Sequence, residues 1–427
     1  MRLPALPLAA RLHALGPASR QWRARLAAAL GALALALVAI LFARCGEWAQ
    51  ALFHQFESRW PLATLAATPA LFMALVWLTR RHWPLARGSG IPQVMAASHH
   101  PDGANAARLL SLPTAAAKFA GTLLVLAAGG SAGREGPTVQ ISAGIMVAVH
   151  RLLRVPVTAG VVIAGGAAGV AAAFNTPLAG VAFAIEELAA AFEQKVAVLV
   201  MAAVMLGGLV SLGLSGDYVY FGAMADNLPV RTMLAVVPLA GVCGGLAGGL
   251  FSRALVAMAW SKAPWLAAIK RRPVWLAGAC GLLVAATGLA SHDLSWGTGY
   301  ETTRALLTGH SAPLAFGPAK FLSTLATALS GAPGGIFAPS LSVGAGLGQG
   351  LALLFPATPP GAVVVLGIVG YFAGVVRAPL TAVIIVMEMT ADRGMILPLF
   401  GTALLADWVS AMVCKPKLYH ALSLQFQ

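Results

Sequence analysis

The 427-residue sequence has little charge: 10% of its residues are Asp, Glu, Lys or Arg, against 59% hydrophobic, and its mean hydropathy is +0.82. A water-soluble chain of this length cannot cover its surface with so few charges, so the bilayer is expected to be its solvent. Acid is scarcest, with 14 Asp+Glu against 28 Lys+Arg and a net charge of +14. The four cysteines, Cys45, Cys243, Cys280 and Cys414, stand singly. A disulfide framework and a zinc site are thereby excluded, and no histidines have metal-ligand spacing, so no metal is expected. There is no GxxxxGK[ST] loop, which argues against ATP-driven pumping. The apolar segments contain no histidine to act as base for a serine nucleophile such as Ser89, so an intramembrane hydrolase is disfavoured. No enzymatic activity and no cofactor are expected. The basic residues sit at segment ends rather than on a soluble domain, so nucleic acid is not an expected partner.

What is abundant is apolar sequence. Stretches near 26–43, 62–78, 195–213, 231–258 and 273–290 approach or exceed the roughly 20 residues that a membrane helix needs. Others, near 114–130, 138–149, 158–174, 177–190, 314–330, 339–354, 361–375, 379–391 and 395–413, are shorter or interrupted by Gly and Pro. Such interruptions are the mark of a transporter built from discontinuous helices. The expected fold is an all-α polytopic membrane protein. Arg2, Arg11, Arg20, Arg23 and Arg25 precede the first run, giving a basic arm over 1–25 that should stay in the cytoplasm. The first run lacks a convincing cleavage site and reads as a retained helix. Residues 26–213 are expected to form one membrane half, 214–230 a linker, 231–419 a second half and 420–427 a cytoplasmic tail. No soluble regulatory domain is expected at either end.

The two halves contain a repeat. AKFAGTLLVLAAGGSAGREGPTVQISAG begins at Ala117, and AKFLSTLATALSGAPGGIFAPSLSVGAG begins 202 residues later at Ala319. The ungapped register pairs Lys118 with Lys320, Gly133 with Gly335 and Pro137 with Pro339. It continues downstream to pair Pro177 with Pro379 and Glu186 with Glu388. A looser match lays GSGIP at Gly88 over GTGYE at Gly297. Two copies of one unit in a membrane predict a site at their interface near the midplane. The sequence leaves open whether the copies are parallel or inverted.

Three Gly-Pro motifs stand out: Gly88-Ser89-Gly90-Ile91-Pro92, Gly133-Arg134-Glu135-Gly136-Pro137 and Gly335-Ile336-Phe337-Ala338-Pro339. Proline suits the first helical turn and glycine the tight turn before it, so each motif predicts a loop feeding a helix N-terminus. A helix N-terminus offers unpaired N–H groups and a partial positive charge. Three converging termini would bind an anion without a buried full cation, and moderate attraction would still let the ion leave.

In this order and spacing, GSGIP, GREGP and GIFAP resemble the signature motifs of the CLC family of chloride channels and chloride/proton exchangers. Lys118 and the Lys415–Tyr419 stretch belong to the same pattern, and the resemblance runs from Gly88 to Tyr419. It implies two inverted repeats and a homodimer with one pore per subunit. It implies chloride held by the Ser89 and Tyr419 hydroxyls and the N–H groups of Ile336 and Phe337. The GREGP loop (Gly133, Arg134, Gly136 and Pro137) would line an outer site. Ser89 favours chloride, because fluoride-selective relatives tend to carry Met there. The bare composition and the resemblance together point to a multi-pass protein of a bacterial inner membrane, both termini cytoplasmic.

Carboxylates inside a membrane are functional candidates by default. Glu135 lies within an anion-binding loop, so its carboxylate and an anion would compete for one place; the resemblance assigns it the gate and the external proton acceptor. Glu186 matches Glu388 in the repeat, which suggests a structural pair. Glu187 has Met389 as its counterpart, and on an α-helix it would point about 100° away from Glu186. In exchanger members a glutamate here is the internal proton acceptor and channel members usually lack it, so proton exchange is preferred to a passive channel. Lys118, set in apolar sequence, is expected to be neutral, bonded to carbonyls or paired with Glu187. Gln93 and Met95 stand where exchangers often carry acids.

Overall fold

The computed structural model describes residues 17–188, 194–216, 219–224, 228–392 and 394–427. Arg2 and Arg11 of the basic arm lie outside them. Among the described residues the chain is all-helical apart from turns and one isolated bridge. In chain order the first half contains α1 (Pro17–Arg59), α2 (Thr64–His82), α3 (Ile91–His99), α4 (Ala104–Leu109), α5 (Leu112–Ala127), α6 (Glu135–Leu152), α7 (Ala159–Phe174), α8 (Pro177–Phe183) and α9 (Gln194–Ser215). The second half contains α10 (Val230–Trp260), α11 (Pro264–Lys270), α12 (Pro273–Ala290), α13 (Tyr300–Leu307), α14 (Phe316–Leu329), α15 (Phe337–Ala352), α16 (Pro360–Val376), α17 (Pro379–Thr390), α18 (Ile396–Val413) and α19 (Leu418–Ser423).

Among the described residues six helices are long and apolar enough to cross a membrane, and α5, α7, α16 and α17 are shorter apolar helices. Large apolar side chains such as Leu234, Trp275, Leu397 and Trp408 project from the long ones, as expected where the solvent is hydrocarbon. The shorter α7 and α16 are buried along almost their whole length. They form the centre of the molecule.

Small residues let these helices approach. A Cβ added at Gly244 would lie 2.3 Å from the Gly370 backbone, and one at Gly248 2.5 Å from Gly374, so α10 and α16 touch backbone to backbone. Gly344 and Gly348 of α15 meet α16 in the same way, at 2.6 Å from Ile368 and Val364. In lipid, where apolar burial drives little association, this close van der Waals contact is a main source of cohesion.

The 202-residue register is visible in the helix boundaries. Glu135 and Phe337 open α6 and α15, Pro177 and Pro379 open α8 and α17, and Phe174 and Val376 close α7 and α16. Both of the last two helices end on a left-handed residue, Asn175 at φ 56° and Arg377 at φ 57°. The two copies meet in an antiparallel bridge: Gly133 N–H donates to Gly335 O and Gly335 N–H to Gly133 O, each at 2.8 Å. Equivalent residues exchanging equivalent bonds define a local two-fold axis, with the chains running in opposite directions through it.

Three stretches differ from the sequence expectation. Helix α1 begins at Pro17, so residues 17–25 of the stretch read as an arm are helical. Within the stretch read as a linker, Phe221 N–H donates to Met389 O and Met224 N–H to Thr390 O, and Tyr220 and Phe221 are buried against Phe174 and Tyr300. Likewise α19 extends past Tyr419 to Ser423, and Phe426 is tucked under the Arg87 guanidinium. Apolar side chains in the last two stretches bury themselves on the helical core.

Candidate functional site

The three Gly-Pro motifs meet. Ser89 and Gly90 abut the GREGP loop: a Cβ at Gly136 would lie 2.5 Å from Ser89 Oγ, and one at Gly90 2.6 Å from Gly136 O. Gly334 N–H donates to Gly88 O at 3.1 Å, and the Gly133–Gly335 bridge joins the other two loops. Gly90 has φ 112°, a conformation that side chains disfavour, so both its dihedral and its crowding require glycine.

Each motif delivers its chain into a helix. Gly90, Arg134 and Ile336 are the N-caps of α3, α6 and α15. Their carbonyls are consumed inside those helices, by Val94 N–H at 3.3 Å, Thr138 N–H at 2.9 Å and Ser340 N–H at 3.0 Å. The free N–H ends of the first turns therefore face the other way, toward the junction. It is amides that converge there, as an anion requires.

Glu135 lies in this junction, 1% exposed. Its Oε2 accepts the Ala338 N–H of α15 at 3.4 Å. It also occupies the space that a side chain on residue 133 would need, since a Cβ at Gly133 would be 2.2 Å from Oε2. A carboxylate of the first copy thus rests on the helix N-terminus of the second. On one side, Ser89, Ile336 and Tyr419 line a cavity of about 540 Å³ whose wall also carries Arg80, Arg87 and Lys270. On the other, Arg134 lines a cavity of about 760 Å³ with Glu47, Tyr220 and Tyr300. The Ser89 and Tyr419 hydroxyls are buried and lie against one another, and neither has a further hydrogen-bond partner among the described residues. Buried hydroxyls with unused hydrogen-bonding capacity are rare. Beside amide-rich helix ends they form a donor set for a small anion.

The buried lysines hold loops. Lys118 Nζ donates to Arg87 O at 3.1 Å and Gly88 O at 2.7 Å. Its twin Lys320 donates to Ser295 O, Trp296 O and Gly297 O at 3.1, 3.1 and 2.7 Å. Carbonyl bonding, one of the expectations for Lys118, is found. Gln93 also serves this loop, donating to Arg87 O at 2.7 Å, and Met95 packs into the core. Arg134 Nη1 donates to Ala43 O at 2.8 Å and pairs with Glu47 at 3.3 Å.

Glu187 sits on a π turn, Ala184–Leu188, that follows α8, within electrostatic reach of Tyr419. An α-helical geometry was the expectation here; the extra residue in each bonded loop changes the angle between Glu186 and Glu187, and such π segments occur often at functional sites. Glu187 is 7% exposed, both its oxygens lack a hydrogen-bond partner among the described residues, and Lys417 is within electrostatic reach. Pro177 is placed in the first turn of α8, as Pro137 is in α6.

The sequence reading missed Arg377. Its Nε meets Asp407 at 2.9 Å, and its Nη1 donates to Lys415 O at 2.8 Å and Cys414 O at 3.3 Å. It therefore anchors the strap that carries Tyr419 to the site. An arginine at the end of a long apolar run was the available signal.

Residues 70–411 match the family model described as voltage gated chloride channel. A curated relative, the H(+)/Cl(-) exchange transporter ClcA of Salmonella agona (strain SL483), is 32% identical over 392 residues, which are 88% of this chain and 81% of the relative. Among solved structures, a slow cyanobacterial Cl−/H+ antiporter has a TM-score of 0.79 at 24% identity, covering 96% of this chain and 98% of that one. A CLC-type fluoride/proton antiporter has a TM-score of 0.77 at 24% identity, covering 93% and 96%. Likeness at that level of identity shows a shared fold.

Proposed function

The chain belongs to the CLC voltage gated chloride channel family, and from that premise we propose that it exchanges chloride for protons across a membrane. It is a multi-pass membrane protein of a transporter family. Chloride takes its place between the hydroxyls of Ser89 and Tyr419 and the N–H groups of Ile336 and Phe337. Glu135 is the gate and the external proton acceptor. Ionised, its carboxylate takes the amide-lined seat itself; protonated, it loses its charge and yields that seat to the anion. Anion binding and proton binding are thereby coupled at one position.

Glu187 is the internal proton acceptor. A carboxyl group held dry within a membrane protein, without a partner for either oxygen among the described residues, is suited to taking and passing a proton rather than to bracing the fold. This favours exchange over passive conduction. Gly133, Arg134, Gly136 and Pro137 form the outer anion loop, and Lys118 shapes the field and the backbone beneath Ser89. The arginine-rich cavity faces the cytoplasm, as do both termini. The working unit is a homodimer in a bacterial inner membrane, one pore per subunit.

The observation that carries this reading is the Glu135 carboxylate lying on the Ala338 N–H, where an anion would otherwise sit. The test is chloride-driven proton uptake in liposomes. Glu135→Gln and Glu187→Ala are each expected to lower proton uptake on the order of 100-fold, the scale of a lost acid–base group, while chloride still flows. Uphill proton movement by Glu135→Gln would overturn the mechanism. Chloride flux without protons in the unaltered protein would make it a channel.

A further inference from the structure

The two repeat-related glutamates form a reciprocal clasp. Glu186 accepts Leu380 N–H at 3.2 Å and Thr381 N–H at 2.7 Å, in the first turn of α17. Glu388 accepts Leu178 N–H at 3.1 Å and Ala179 N–H at 2.7 Å, in the first turn of α8. Each carboxylate thus caps the helix of the opposite copy with two charge-assisted bonds. Symmetry ends one residue further on. In the second copy α17 continues as α-helix through Met389, which is fully buried. In the first copy the chain has changed to the π turn, and the next residue is Glu187.

We propose that Glu186 is the positioning residue for Glu187: it pins the π turn to the second half and so fixes where the neighbouring carboxyl group points. This rests on the assignment of Glu187 as the internal proton acceptor. A π turn closes i→i+5 bonds, one residue more in each bonded loop than the helix it interrupts, and is rare except as a single turn. Packing supplies part of its support, since Leu188 lies against Gly166 of α7, where a Cβ would approach it to 3.0 Å. The directional part comes from Glu186, whose two oxygens are both engaged. Of the charged groups, Lys417 and Glu186 are those that act on Glu187, and of the two only Glu186 is fixed by the opposite copy. Glu388 makes the same bonds with no proton-carrying neighbour, and so serves as an internal control for a purely structural role.

The experiment compares Glu186→Gln with Glu388→Gln in liposomes, reading the ratio of protons to chloride moved; the ratio is independent of the fraction of protein that folds. An amide retains one acceptor oxygen of two. Glu186→Gln is expected to lower the ratio about tenfold, the scale of one charge-assisted hydrogen bond, with chloride flux maintained. Glu388→Gln is expected to leave the ratio unchanged, whatever it does to stability. Equal ratios in both variants and the unaltered protein overturn the proposal. Glu187→Gln run alongside separates the two levels: if it still moves protons at the unaltered ratio, the assignment of Glu187 has failed, and the positioning role with it. If it abolishes proton movement while Glu186→Gln does not lower the ratio, only the positioning role has failed.

Discussion

In the first half of the chain the bridge glycine is followed by Arg134 and Glu135; in the second half the same places hold Ile336 and Phe337. Downstream, Glu187 of the first half faces Met389 of the second across the repeat. Both halves keep the glycine bridge, the loop-holding lysine and the clasping glutamate. The scaffold is thus held in duplicate, while the two carboxyl groups proposed to carry protons, Glu135 and Glu187, are confined to one copy. The second copy contributes backbone amides and the Tyr419 hydroxyl to the same junction. Duplication supplies two opposed helix ends, and divergence lets one of them present a carboxylate to the other. Two identical glutamates would compete for the same N–H groups and repel each other.

The comparison is broken most forcefully by making the halves alike. Met389→Glu would bury a carboxylate with no acceptor role in packed apolar surroundings, and a fall in stability of about 3–5 kcal/mol is expected. Thermal unfolding in detergent measures it. A variant as stable as the original, moving more protons per chloride, would show that the second half is equally fit for proton chemistry.

Exchanging each buried lysine for methionine sharpens the comparison. Lys118→Met and Lys320→Met both strand carbonyl groups, and each is expected to lose about 1–3 kcal/mol of stability. Only Lys118 holds the turn that carries Ser89. Titration calorimetry should therefore find chloride affinity lowered about tenfold in Lys118→Met and unchanged in Lys320→Met. A matching loss in both would mean that the anion site depends on global packing rather than on its own loop. The smallest effect is expected at the outer rim. The Arg134–Glu47 pair is half open to solvent on the glutamate side, so Glu47→Gln should change stability by less than about 1 kcal/mol. A larger loss would mark the pair as a structural asymmetry of its own.

Much of this asymmetry was legible beforehand. The 202-residue register paired the helix starts at GREGP and GIFAP, and it separated Glu186 from Glu187 by their different counterparts. Helix-start chemistry marked GSGIP, GREGP and GIFAP as three helix N-termini, and that they meet was an expectation carried by the family resemblance. Other features depend on contacts distant in sequence. The partner of Lys118 was one of three possibilities, because loop carbonyls have no signature in sequence. The π turn at Ala184–Leu188 was invisible, since its support comes from α17 and α7 rather than from its own residues. The length of α1 was underestimated: Arg44, Glu47 and His54 interrupt its apolar pattern, yet they line the cavity beside Arg134. Charges that look like a helix end can also be the wall of an aqueous recess.

The glycine bridge bears on how an ion can pass at all. Each of its two amides is the other strand's only ladder partner, so drawing the halves apart there would leave four buried polar groups without bonds, at about 1–3 kcal/mol each. A rocking motion that opens a central cleft must break that crossing first. A side-chain swing need not: in the proposed mechanism the Glu135 carboxylate leaves the Ala338 N–H with the main chain still laced together. On that proposal, traffic through the passage would be metered by rotation about a few bonds, with the rest of the molecule nearly still.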